Sequence, residues 1–205
     1  MPGLLFRGCI LEHRHHSPSR RRPLGRPAKF SEDQILDAAL AVVAGGGPAG
    51  ATIGAIAERL GAPSGSLYHR FGSRDLLLAT LWIRTVRRFQ RGFVAALAEG
   101  GAEGAALHTP RWCRMHPEEA AVLVLHRRQD LAATWPAGLA GDLDALNAEV
   151  SEALGSFPGT DRERLAFATV DVPYGAVRRY LLAGRTPPPL VDELITATCR
   201  AVLDG

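Results

Sequence analysis

From Ser31 onward the chain is a succession of apolar stripes at helical spacing, punctuated by glycine and proline. Ile35, Leu36, Ala39, Leu40 and Val43 form the first stripe. They predict a helix from a Ser31 N-cap to about Ala44, with Glu32 and Asp33 where the helix dipole favours negative charge. Gly45-Gly46-Gly47-Pro48 should end it. A short second stripe, Ile53, Ile56, Ala57 and Leu60, follows Thr52, a good N-cap. Gly61 should stop that helix, because glycine enters the left-handed conformation without steric cost. Pro63 can open a third helix, where its missing N–H is not needed. Leu67 and Phe71 then point inward and leave Ser64, Ser66, Tyr68 and His69 facing out.

Ser73 caps a longer pattern, in which Leu77, Leu81, Trp82, Val86, Phe89, Phe93 and Leu97 carry an apolar face to Gly100-Gly101. At ~1.5 Å per residue that helix is roughly 40 Å long. Further helices are expected over about 103–115 with Pro110 as a break, from Pro117 onward, over about 139–154, from Asp161 towards Ala183, and over 190–203. Pro173 and Gly175 should kink the fourth of these stretches. No segment alternates like a strand between hairpin turns, so the fold class is all-α.

A core is affordable at 205 residues and 46% hydrophobic content. No apolar run approaches the ~18 residues of a membrane span. The opening segment lacks the parts of a signal peptide, and Cys9, Cys113 and Cys199 are too scattered for a disulfide framework. A cytoplasmic location is the expectation.

Helix, glycine turn and a second helix with a hydrogen-bonding outer face form the helix-turn-helix pattern, whose second helix enters the DNA major groove. Tyr68 can offer its hydroxyl to phosphate or a base and its ring to a thymine methyl. Ser64 and Ser66 are small enough to let the helix approach base edges. His69, Thr52 and Arg74 suit phosphate. Arg70 fits either a phosphate contact or an internal ion pair.

Thr52, Ile56-Ala57, Gly61, Gly65-Ser66-Leu67-Tyr68, Phe71 and Ser73-Arg74-Asp75-Leu76 resemble the DNA-binding domain of TetR-type transcriptional regulators. The likeness is specific over residues 31 to about 80 and one of architecture beyond. Pro63 departs from the pattern, standing where a capping Ser is common. Arg74 replaces the usual Lys, and Gly54 occupies a position that in some members carries a base-reading Arg. The resemblance implies that Thr52, Tyr68, His69 and Arg74 sit at DNA-contacting positions.

It also implies an overall plan. Residues 1–29 form a basic arm, 30–76 a three-helix DNA-binding domain, and 77–205 a helical bundle that binds ligand and dimerises. Phe89, Phe93, Trp112, Met115, His126, Phe167 and Tyr174 are the candidate lining of an effector cavity. Val177, Leu181, Leu190, Leu194, Ala197 and Ala201 are the candidate dimer surface. The function implied is a homodimeric repressor on a palindromic double-stranded DNA operator, released by a small, largely apolar effector. No cofactor or membrane partner is expected.

An activating or metal-sensing regulator of the same family is the alternative, the latter because His108, Cys113 and His116 include a Cys-x-x-His spacing. A helical enzyme using Cys113 would need an oxyanion site and an orienting residue that nothing in the sequence supplies. There is no glycine-rich phosphate loop, HExxH or GxSxG, and no enzyme is expected.

Charge is uneven. Residues 1–30 hold seven basic side chains against Glu12 alone, a net +6, so the rest carries −3 of the total +3. Arg20-Arg21-Arg22 and Arg26 resemble arms that lie in a minor groove. Each phosphate neutralised steepens the log–log salt dependence by about 0.9. Deleting residues 1–24 should therefore weaken operator binding and make its salt slope shallower by several units per dimer, with little change in preferred sequence. Titration at several salt concentrations checks this, and an unchanged slope would make the arm a passive tail.

Overall fold

The computed structural model describes residues 30–125 and 140–204. Among them every regular element is helical. Helix α1 (Glu32–Gly50) opens on a reciprocal cap. Ser31 Oγ accepts from the Gln34 amide at 3.2 Å, and Gln34 Oε1 accepts from the Ser31 amide at 2.8 Å. Ser-x-x-Gln is thus a capping box. The helix runs past Ala44 and breaks only at Gly47, whose φ of 70° no helix contains. Pro48 begins a last turn beyond that break.

Helix α2 (Ile53–Leu60) is capped by Thr52, whose Oγ1 accepts from the Ala55 amide at 3.1 Å. Gly61, at φ 65° and ψ 35°, turns the chain into α3 (Ser64–Phe71). Pro63 is the extended residue just before α3, with no side-chain cap.

Helix α4 (Arg74–Met115) is one helical run broken at Gly101, where φ is 62° and ψ −157°. The arms 74–100 and 102–115 fold back on each other. A Cβ on Gly92 would sit 2.5 Å from His108, and one on Gly104 would sit 2.7 Å from the Ala96 carbonyl oxygen. These pairings, 92 with 108 and 96 with 104, define an antiparallel hairpin of very close approach. Pro110 lies inside the second arm and does not break it.

After α5 (Pro117–Leu125) and α6 (Ala140–Ser156), residues 162–182 form a nearly continuous helix. It comprises α7 (Arg162–Ala166), a π-helical turn (Phe167–Asp171) and α8 (Val172–Leu182). The expected kink at Pro173 takes the form of that π turn. Pro173 cannot donate to the carbonyl one turn back, and its ring crowds it, so the chain widens just before it. Helix α9 (Leu190–Leu203) closes the bundle. Both guanidinium Nη atoms of Arg114 donate to the Asp192 carboxylate, at 3.0 and 2.6 Å, and tie its start to the end of α4.

The first core gathers α1, α2, Leu67 and Phe71 of α3, and Leu77 to Ile83 of α4, and it also takes in Val122 of α5 and Leu146 of α6. The second joins Ala106, Trp112 and Cys113 to Ala120, Val177, Val191, Ile195 and Cys199. A third packs Phe93 and Leu97 against Leu154 and Leu165. Among the described residues no helix is long and apolar enough to cross a membrane.

The hairpin contact can be tested by adding one methyl group. Gly104→Ala should destabilise the protein by about 1–3 kcal/mol, because its Cβ meets backbone and not a movable side chain. Gly100→Ala has open space around it and should be neutral or stabilising by about 0.4–1 kcal/mol. Chemical denaturation of both variants measures the difference.

Candidate nucleic-acid interface and ligand cavity

The outer face of α3 is set by what its inner face buries. Leu67 is fully buried and Phe71 nearly so, which leaves Ser64, Ser66, Tyr68 and His69 in solvent. Tyr68 is 53% exposed, high for so large an aromatic ring. Thr52 is exposed at the start of α2, and its hydroxyl proton is free because the cap uses only its oxygen as acceptor. Thr52, Ser64, Ser66, Tyr68 and His69 are therefore solvent-facing residues of the two motif helices and the turn before them. Arg26 lies outside the described residues, as does the whole arm 1–29.

Arg74 corrects the sequence reading. Its Nε donates to the Ala51 carbonyl at 2.9 Å, an Nη donates to the Pro48 carbonyl, and the other Nη meets Asp75 at 3.2 Å. The guanidinium is turned onto the loop between α1 and α2. The Pro48 carbonyl already accepts from the Ala51 amide at 3.2 Å, and the guanidinium fork adds a second donor to it and one to the Ala51 carbonyl. Arg70 resolves towards an ion pair, with Glu32 at 3.8 Å.

The second candidate site is a cavity of about 290 Å3 within the C-terminal helices. Phe89 and Phe93 from one arm of α4 and Trp112 from the other line it, and Tyr174 lines it while 46% exposed. Phe89 and Trp112 meet edge to face, ring centres 5.1 Å apart. Met115 and Phe167 do not belong. Met115 is 66% exposed at the end of α4, and Phe167 is 50% exposed at the start of the π turn. The π turn shifts the helical phase, so Thr169 and Val170 line the wall instead. His126 lies outside the described residues.

Other lining residues escaped the sequence reading because they are small or polar: Gln90, Thr109, Ala120, Asn147 and Val150. Gln90 donates to Asn147 at 3.1 Å across α4 and α6. Cys113 also lines the cavity, and burial pushes its thiol up to about 12. So little thiolate at neutral pH makes it a poor nucleophile. Among the described residues no three His, Cys, Asp or Glu side chains converge as a metal site.

The candidate dimer residues divide. Leu190, Leu194, Ala197 and Ala201 form one exposed stripe along α9, opposite the buried stripe of Val191, Ile195 and Cys199. Val177 is corrected. It is 1% exposed and faces the cavity, which Leu181 also lines, half-buried. The outward residue of that turn is Leu182, 53% exposed. The extra residue of the π turn rotates α8 relative to a uniform helical count.

Residues 35–81 match the family model described as bacterial regulatory proteins, tetR family. The match covers helices α1 to α3 and the start of α4. Solved structures with the same fold include a tetR family transcription regulator from Shewanella sp. PV-4, 18% identical, with a TM-score of 0.62 over 85% of this chain and 98% of that one. The fatty acid degradation regulator FadR from Bacillus halodurans is 19% identical, with a TM-score of 0.61 over 84% and 94%. The multidrug binding protein EbrR, complexed with imidazole, is 20% identical, with a TM-score of 0.56 over 83% and 88%. No curated protein matches the chain. The fold of the chain is the one these solved regulators share.

The geometry separates two residues that the motif alone groups together. Tyr68→Ala should weaken operator binding by roughly 1–3 kcal/mol with unchanged thermal stability. Arg74→Lys should lower the melting temperature while leaving the salt slope of DNA binding as it was, since a lysine cannot fork onto two carbonyls. Footprinting and thermal unfolding of both variants give the answer.

Proposed function

We propose that this protein is a homodimeric repressor that leaves a palindromic operator when a small, largely apolar molecule fills the C-terminal cavity. The observation that carries this reading is that the cavity and the core under the reading helix share side chains. Trp82 belongs to the first core and also lines the cavity. Helix α5 has Val122 in that core, while its neighbours Ala120 and Leu123 line the cavity. A ligand pressing on Ala120, Leu123 or Trp82 therefore acts on groups that position the head. A state in which the two reading helices no longer match successive major grooves, ~34–36 Å apart, releases DNA. Coupling along the first arm of α4 is thereby joined by a second route through α5.

The division into an arm at 1–29, a head at 30–76 and a body at 77–205 belongs to this proposal, as do DNA contacts by Thr52, Ser64, Ser66, Tyr68, His69 and Arg26. A small-molecule effector accords with relatives described as a fatty acid degradation regulator and a multidrug binding protein.

Dimerisation is assigned to the exposed stripe of α9. Leu190 and Leu194 are 56% and 55% exposed, and Ala197 and Ala201 continue their line with small side chains that admit a close helix. An apolar stripe on the far side of an already packed helix fits an isologous contact with a second copy. Leu194→Glu should give monomers that no longer protect a full operator, since pairing would bury an unpaired charge. Sedimentation and footprinting of the variant test this. An intact dimer would move the interface elsewhere, and a wild-type operator complex that no apolar compound dissociates would remove ligand release.

A further inference from the structure

The cavity wall is largely apolar, and Thr109 is one of the few polar groups set into it. Thr109 is 6% exposed and lines the cavity from the second arm of α4. Buried hydroxyls in helices usually turn back to the carbonyl four residues earlier. Thr85 does so to Leu81 at 2.9 Å, Thr169 to Leu165 at 2.7 Å, and the less buried Thr80 and Thr198 do so at 2.8 Å. Thr109 makes no such bond, nor any other hydrogen bond among the described residues, which leaves its hydroxyl available to a guest in the cavity.

The second feature is charge. No Asp, Glu, Lys, Arg or His side chain lines the cavity among the described residues. The nearby Glu119 is buried outside it and held by Arg88 and His116. Cys113, on the wall, keeps its proton.

We propose that the cavity selects an uncharged aromatic molecule carrying one hydrogen-bonding group, and that this group meets the Thr109 hydroxyl. This deepens the reading of the cavity as the effector site and rests on it. An ionised ligand would lose its hydration with no counter-charge among the described wall residues. Trp82, Phe89, Phe93 and Trp112 supply ring faces and edges for an aromatic guest. A volume of about 290 Å3 suits one or two rings, being at the low end for ligand sites. Thr109 is then the specificity point, and Gln90 and Asn147, already bonded to each other, bear less of the recognition.

The test is equilibrium dialysis of the full-length protein at about pH 7 with a matched two-ring series: naphthalene, 2-naphthol, 2-naphthoate and 1-methylquinolinium. 2-Naphthol should bind about 3–10-fold tighter than naphthalene. The carboxylate and the cation should each bind at least about tenfold weaker than 2-naphthol. Thr109→Val should erase the preference for 2-naphthol, leave naphthalene binding unchanged and leave the melting temperature the same or higher. Thr109→Ser should keep the preference. Binding of the anion or the cation as tight as that of 2-naphthol would overturn the charge selection. An undiminished 2-naphthol preference in Thr109→Val would overturn the role of Thr109. Failure of all four compounds to bind would overturn the cavity as an effector site, and this inference with it.

Discussion

The two arms of α4 touch so closely that a methyl group would not fit, and much of the body is built on that contact. Gly92 lies under the His108 ring, and Gly104 lies on the Ala96 carbonyl. Close approach brings Phe89 and Phe93 of one arm against His108 and Trp112 of the other, with ring centres 4.9 to 6.3 Å apart. The same four-residue periodicity carries Thr109 and Cys113 onto the cavity wall. His108 Nε2–H donates to the Phe89 carbonyl at 3.0 Å, which selects the Nε2–H tautomer of the neutral ring. Burial is the main cause that lowers its pKa, so the hairpin favours the neutral ring and loses stability as pH falls below about 6.5. One wall of the cavity and the lever to the head are therefore a single element held by backbone contact.

That lever does not end at a hinge. Arg84 on the first arm, two residues beyond Trp82 of the cavity wall, reaches Asp37 of α1 at 2.8 Å and Asp33 at 3.4 Å. Helix α5 packs between α1, α4 and α8, and its Leu123 adjoins both main cores. Dense packing admits discrete rearrangements more readily than gradual bending. A ligand can shift such an equilibrium only by its difference in affinity for the two arrangements, about 1.4 kcal/mol per tenfold. Groups shared between the cavity and the head core are where that difference can arise.

Much of the plan was legible because it depends on local rules. The Thr52 and Ser73 caps, the Gly61 turn, the end of the long helix at Gly100-Gly101 and the span 190–203 follow from capping, glycine and periodicity. The failures are of two physical kinds. One is helical phase: the π turn at Phe167–Asp171 put Phe167 and Leu182 outside and Val177 inside, and no residue pattern announces a π turn except Pro173 after it. The other is partner choice. Arg74 has the charge for phosphate, but the Pro48 and Ala51 carbonyls claim it. Thr109 carried no signal at all, because its distinction is a hydrogen bond it does not make.

The fate of the arginines bears on how DNA is held. With Arg74 on the Pro48–Ala51 loop, Arg70 beside Glu32 and Gly54 where an arginine could stand, the exposed reading surface is mostly hydroxyl, phenol and imidazole. Such groups discriminate base edges but release few counterions, and counterion release supplies most of nonspecific affinity. The net −3 of residues 31–205 works against a polyanion as well. Affinity and specificity are then divided along the chain. The arm, with its net +6 just before α1, is where the sequence concentrates the charge that the head does not display. On the proposed reading α3 would choose the site, while the segment before it would hold the protein on DNA long enough for the choice to be made.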